Sequence, residues 1–94
     1  MSNLPMDTTV VVTPGLVSCD LAGDTAILHL DNGTYFTLNA VATAIWRLLQ
    51  EPARVSDLHR FLVERYEVEA ESCAGDLQSL LHDLLAHDLV TIHT

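Results

Sequence analysis

Five histidines, two cysteines and thirteen carboxylates are the groups in this 94-residue chain that could do chemistry. Their spacing decides what is open to them. His82 and His87 stand five apart in a helical stretch, whereas two metal ligands on one helical face need a spacing of three or four. His59 and Asp57 belong to no recognisable catalytic motif. Histidines so placed are most often solvated or hydrogen-bonded locally. Cys73 falls near the start of a helical stretch, where the N-terminal dipole could favour a thiolate. No base is positioned to use it, and a buried small hydrophobe is the commoner role. Cys19 and Cys73 are too few for a disulfide scaffold and lack metal-ligand spacing, so both are expected to be free thiols in a reducing compartment. A glycine-rich phosphate loop, a nucleophile elbow and a metal-binding His-Glu pair are all missing from the sequence. The chain is expected to be non-enzymatic, with no metal and no cofactor.

Composition narrows the remaining classes. A chain of this length buries only roughly 60 to 65% of its unfolded surface, which argues for one unit over residues 1–94. Hydrophobic residues make up 49% and charged residues 18%, so a packed core is available and disorder is not expected. The four basic residues are all Arg, and the formal net charge is -9. Nucleic acid and anionic membranes both attract basic surfaces, so neither is an expected partner. No apolar run approaches the roughly 18 to 20 residues that span a bilayer. Met1 to Val10 lacks a basic segment followed by an apolar one, so a cytoplasmic protein is expected.

Thr8 to Thr13 is β-branched almost throughout and is broken by Pro14-Gly15, an extended segment followed by a turn. Leu16 to Leu21 and Thr25 to Leu30 read as two further strands. Asn32-Gly33 suits a two-residue type I′ hairpin loop, because both central positions need positive φ. Closing it on Asp31 and Thr34 would pair Leu30 with Tyr35, His29 with Phe36, Leu28 with Thr37 and Ile27 with Leu38. One face then carries Ile27, His29, Phe36 and Leu38, and the other Leu28, Leu30, Tyr35 and Thr37.

At Asn39 the hydrophobic period changes from two to about 3.6. Asn39 is a favoured N-cap for a helix whose apolar stripe is Val41, Ile45 and Leu48, ended by Glu51-Pro52. Ser56 is expected to cap a second helix to Tyr66 that buries Leu58, Phe61 and Leu62. A third helix covers roughly Ala70 to His87, with Cys73, Ala74, Leu77, Leu80, Leu81, Leu84 and Leu85 over a broad apolar arc. Leu89 to His93 adds a short terminal strand or tucks against the core. The fold class is α+β: a small antiparallel three-stranded sheet followed by a three-helix, winged-helix-like bundle.

A winged helix would ordinarily suggest DNA. Here the helix that would enter the major groove carries Glu71, Asp76, Asp83 and, just past its end, Asp88, with no Arg or Lys to meet phosphate. What the elements could hold instead is a peptide. If Thr34 to Leu38 pairs on one side only, its other edge offers backbone donors and acceptors to an added strand. The apolar arc of the third helix could floor a groove beside that strand, or pack wholly against the other helices. Spacing alone leaves both open.

Tyr35-Phe36-Thr37-Leu38-Asn39, Ile45-Trp46-Arg47-Leu48-Leu49, Val55-Ser56-Asp57-Leu58, Tyr66-Glu67-Val68, Asp76-Leu77 with Leu80-Leu81, and Asp88-Leu89-Val90 follow one another in an order that resembles the PqqD-like family. The resemblance covers about Leu16 to Ile92. Members are small recognition domains for the leader regions of ribosomally made, post-translationally modified peptides. The likeness implies a stand-alone recognition element, most like those of lasso peptide clusters, that presents a precursor to a leader peptidase or other modifying enzyme. A chaperone for a radical SAM enzyme and a winged-helix interaction or regulatory domain are the alternatives. It also implies that the leader adds as a strand between Thr34–Leu38 and the third helix. The implied contact residues are Thr34, Tyr35, Phe36, Thr37 and Leu38 with Cys73, Asp76, Leu77, Leu80, Asp83 and Leu84. Met1 to Thr13 has no part in the motif and is an arm or an extra strand.

Overall fold

The computed structural model describes residues 4–31 and 33–93. Its elements run β1 (Thr9–Val12), β2 (Leu16–Leu21), β3 (Asp24–His29), β4 (Thr34–Leu38), α1 (Ala40–Leu48), β5 (Ala53–Arg54), α2 (Val55–Tyr66), α3 (Ala70–Ala86) and β6 (Val90–His93). They form two antiparallel three-stranded sheets, ordered β2-β3-β4 and β5-β1-β6. The α+β class and the meander ahead of three helices are as the pattern implies. The second sheet gathers segments distant in sequence: β1 lies between β5 and β6, with Val10 opposite both Ala53 and Ile92. Val10 is fully buried there. Thr9 to Val12 is thus a central strand, and β6 docks the far end of the chain on it.

The hairpin register departs from expectation. His29 pairs with Thr34, Leu28 with Tyr35, Ile27 with Phe36, Ala26 with Thr37 and Thr25 with Leu38. This is a shift of two from the expected pairing. The connection is a four-residue loop over positions 30–33, closed by the Gly33 amide donating to the His29 carbonyl at 2.8 Å, with Gly33 at φ +70°. Asn32, on which the type I′ turn relied, lies outside the described residues. Because side chains alternate with a period of two, a two-residue slip leaves every residue on its original face, and the apolar pattern cannot detect it. Ile27, His29 and Leu38 still face the core, with Phe36 half-buried beside them.

Asn39 caps α1 as expected, its Oδ1 accepting from the Ala42 amide at 2.9 Å. Ser56 does not cap α2. That helix starts at Val55, its N-cap Arg54 makes no side-chain cap bond, and the N-terminal segment supplies the acceptors. Val55 N–H donates to the Thr8 carbonyl at 2.9 Å and Ser56 N–H to the Met6 carbonyl at 2.8 Å. These are among the donors that a helix start leaves without intrahelical partners. The same segment is held on its other side by Gln78, whose amide donates to Leu4 O and accepts from Leu4 N at 2.9 and 2.8 Å.

The end of α3 is a Schellman turn: Leu89 N–H reaches Leu84 O, Asp88 N–H reaches Leu85 O, and Asp88 sits left-handed at φ +58°. Glycine usually takes that position. Asp88 instead uses its carboxylate to accept from Nε2 of the buried His29 at 3.3 Å, tying the helix end to the last residue of the first sheet's central strand. The shared core consists of Val10, Ile27, Leu38, Ile45, Trp46 and Leu49 with Val55, Leu58, Leu62, Leu77, Leu81 and Leu84 from the second and third helices.

Candidate functional site

Strand β4 is the edge of its sheet, paired to β3 and to no other strand among the described residues. A trough runs between it and α3. Its widest part, about 400 Å³, is lined by Phe36, Leu38, Ala42, Leu80, Leu84 and His87, with Asp83 at the rim. A second hollow of about 340 Å³ continues it, sharing Asn39, Ala42 and Leu80. A third of about 300 Å³ shares Val41, Leu62 and Asp76 and ends at Tyr66 and Val68. The three hollows form one apolar channel that starts beside the open edge of β4 and continues between α3 and the first two helices, with Asp76 and Asp83 along the α3 side.

The sequence explains why the channel is not filled. The apolar arc of α3 is wider than the core that α1 and α2 offer it. Leu77, Leu81 and Leu84 are buried in that core, and Cys73 is nearly so. On one flank of the arc, Gln78 holds the N-terminal segment at Leu4, and a hollow of about 530 Å³ separates Leu4–Met6 from Ala74 and Gly75. On the other flank Leu80 stays half-buried, in contact with the core yet facing the trough. Phe36 does the same from β4 and sets its ring against His87, with centroids 4.6 Å apart.

Of the eleven expected contact residues, nine line this channel: Phe36, Thr37, Leu38, Cys73, Asp76, Leu77, Leu80, Asp83 and Leu84. Thr34 lies outside it at the hairpin end, and Tyr35 points to the opposite face of the sheet, exposed. Leu77 and Leu84 supply the channel's buried wall, whereas Leu80 supplies its accessible surface. Val41, Ala42, Leu62, Tyr66, Val68 and His87 are lining residues the sequence reading did not single out. Val41 and Leu62 belong to the apolar stripes of their helices, where a residue that serves both core and groove gives the same periodic signal.

Two histidines in and near the channel are hydrogen-bonded to helix backbone. His87 Nδ1 donates to Asp83 O at 2.8 Å, and His59 Nε2 donates to Ala70 O at 2.9 Å. Among the described residues no group of three or more His, Cys, Asp or Glu could hold a metal, and no helix is long and apolar enough to cross a membrane. Burial, and secondarily the nearby Asp76 charge, pushes the Cys73 thiol up from its ordinary range. That is the reverse of a thiolate activated at a helix start. At about pH 8, iodoacetamide is therefore expected to alkylate the exposed Cys19 and to spare Cys73 until the protein unfolds, read as a single adduct by intact mass. Two adducts formed at one rate under native conditions would show that Cys73 is accessible.

Residues 24–90 match the family described as Coenzyme PQQ synthesis protein D (PqqD). The chain belongs to the PqqD family. The match spans β3 to the start of β6, and so includes both walls of the channel. Among solved structures, a chain described as TbiB1 in complex with the TbiA(beta) leader peptide superposes with a TM-score of 0.81 at 30% identity, covering 89% of this chain and 98% of that one. A chain described as lasso peptide synthetase B1 complexed with the leader peptide superposes with a TM-score of 0.77, covering 87% and 96%; at 23% identity it speaks to the fold alone. No curated protein matches the sequence. This PqqD-family chain thus shares most of its architecture with the first of these structures.

Proposed function

We propose that this chain is a single recognition unit, residues 1–94, that binds the leader region of a ribosomally made precursor peptide and hands it to a separate leader peptidase or other modifying enzyme. The open edge of β4 above the apolar channel carries this reading. A leader lying there extends the β2-β3-β4 sheet by one strand, its backbone pairing with β4 and alternate side chains dropping toward Phe36, Leu80 and Leu84. Support comes from the 30%-identical relative, which is described as bound to a leader peptide. The role is that of a non-enzymatic adaptor in lasso-type biosynthesis: backbone pairing supplies affinity and the channel supplies sequence preference.

The test is to titrate the cognate leader peptide calorimetrically and, in parallel, to incubate the full precursor with this chain alone and follow its mass. Micromolar to nanomolar binding with no change in precursor mass is the expected result, since burying two or three apolar anchors contributes about 1.5 to 3 kcal/mol each before the ordering of a flexible leader is subtracted. Cleavage or modification of the precursor without a second protein would sink the adaptor reading.

A further inference from the structure

The fixed charges along the channel are all of one sign. Asp76 and Asp83 are the only carboxylates among the residues that line its three hollows, and no Lys or Arg is among them. Both are exposed, and neither has an ion-pair partner among the described residues. Arg65 sets its guanidinium over the Tyr66 ring at 5.8 Å, but it lines none of the hollows. Burial first and the Asp76 charge second push the Cys73 thiol up, so this carboxylate acts on the interior of the channel as well as at its rim.

Helical periodicity sets Asp76, Leu80 and Asp83 on one stripe of α3, at steps of four and three. Leu80 is the accessible apolar surface of that stripe, so a carboxylate stands one turn to either side of the place where an apolar anchor would sit. A wholly apolar peptide lying there would strip water from both carboxylates and offer no counter-charge. A Lys or Arg answers both needs, because its methylene stem lies along the apolar wall while its charged head stays at the rim. The spacing suits a strand alongside α3: one helical turn rises about 5.4 Å, and channel-facing residues two apart on a strand stand about 6.7 Å apart. We infer that the leader is basic where it crosses α3, carrying a Lys or Arg two positions from the apolar residue seated on Leu80 and pairing it with Asp83 on one side or Asp76 on the other. This rests on the leader-binding reading above and adds to it the charge of the peptide. The same carboxylates turn acidic peptides away, so they select among partners as well as hold one.

The experiment titrates the full chain with a synthetic peptide of the leader from the same biosynthetic system, and with a copy whose Lys and Arg residues are replaced by Gln. The protein variant is Asp76→Asn/Asp83→Asn, a near-isosteric change at two exposed positions, and its melting temperature is expected to match wild type. At low salt the Asn pair is expected to bind the native leader about threefold to tenfold more weakly, as one or two ion pairs at a partly covered rim would imply. The Gln leader is expected to bind wild type and variant alike, which closes a double-mutant cycle on the pairing itself. Raising the salt from about 0.01 to 1 M, which shortens the screening length from about 30 to 3 Å, should close most of the gap between the two proteins. Equal affinity of the native leader for wild type and variant overturns the inference. So does an equal loss with both peptides, which would make the carboxylates structural, and so does a leader that contains no Lys or Arg. Each of these leaves the leader reading standing. A wild-type chain that binds no leader at all is the separate result that removes the reading beneath.

Discussion

One of the two variants Phe36→Pro and Thr37→Pro is expected to stay folded and lose about tenfold or more in leader affinity, equivalent to at least roughly 1.4 kcal/mol. In an antiparallel strand successive amides point to opposite edges, so one of these residues donates across to β3 and the other toward the trough. Phe36 stands opposite Ile27 and Thr37 opposite Ala26, so the pair samples both directions within one strand. Proline removes the donor in either case and adds ring bulk on the side where the N–H was. The variant that loses its inward amide should melt earlier, because the β3–β4 ladder and the burial of Ile27 depend on it. The variant that loses its outward amide should keep its circular dichroism and melting temperature and fail in calorimetry with the leader. Leader binding equal to wild type in both variants, with native dichroism, would rule out strand addition at this edge.

Much of this arrangement was legible because its signals are local. The change of period at Asn39 marks a helix start, and the structure has Asn39 capping α1 through its side chain. The β-branched and apolar runs mark β2, β3 and β4, and the run 70–87 marks α3. What was not legible depends on contacts between distant segments. β1 and β6 read as extended runs, but their pairing with each other and with β5 joins segments far apart in sequence, and β5 is two residues long, too short to carry any period. The start of α2 shows the same limit. Ser56 has the composition of a cap, but the Met6 and Thr8 carbonyls reach the Val55 and Ser56 amides, and nothing within a window around Ser56 announces them.

The channel was half legible for a related reason. A seven-residue apolar arc on α3 says that the helix is greasy on more than one side, but it does not say what covers each side. Gln78 was the overlooked clue: a polar residue set among apolar positions, it is buried against the backbone of Leu4. It marks the flank that the N-terminal segment occupies, and by elimination it leaves the Leu80 flank to the trough.

Leu80→Ala and Leu77→Ala are expected to separate groove from core on this helix. Leu77 is 2% exposed and packed in the central cluster, so its truncation should leave a cavity and cost about 2 to 5 kcal/mol of stability. For a domain this small that is a large share of the whole, and a shift of roughly 4 to 8 °C in melting temperature accompanies each kcal/mol. Leu80 is half-buried, and its accessible side lies where the first two hollows of the channel meet. Its truncation removes surface that only a bound peptide would bury, so Leu80→Ala should weaken leader binding by roughly 1 to 3 kcal/mol while destabilising the fold less than Leu77→Ala does. The leader titration and the melting curve, run on both variants, give opposite rankings if α3 is turned as described. A large stability loss at Leu80 with leader affinity unchanged would mean that the accessible side of α3 plays no part in recognition and that the peptide, if it binds, is held by the strand edge without the channel beneath it.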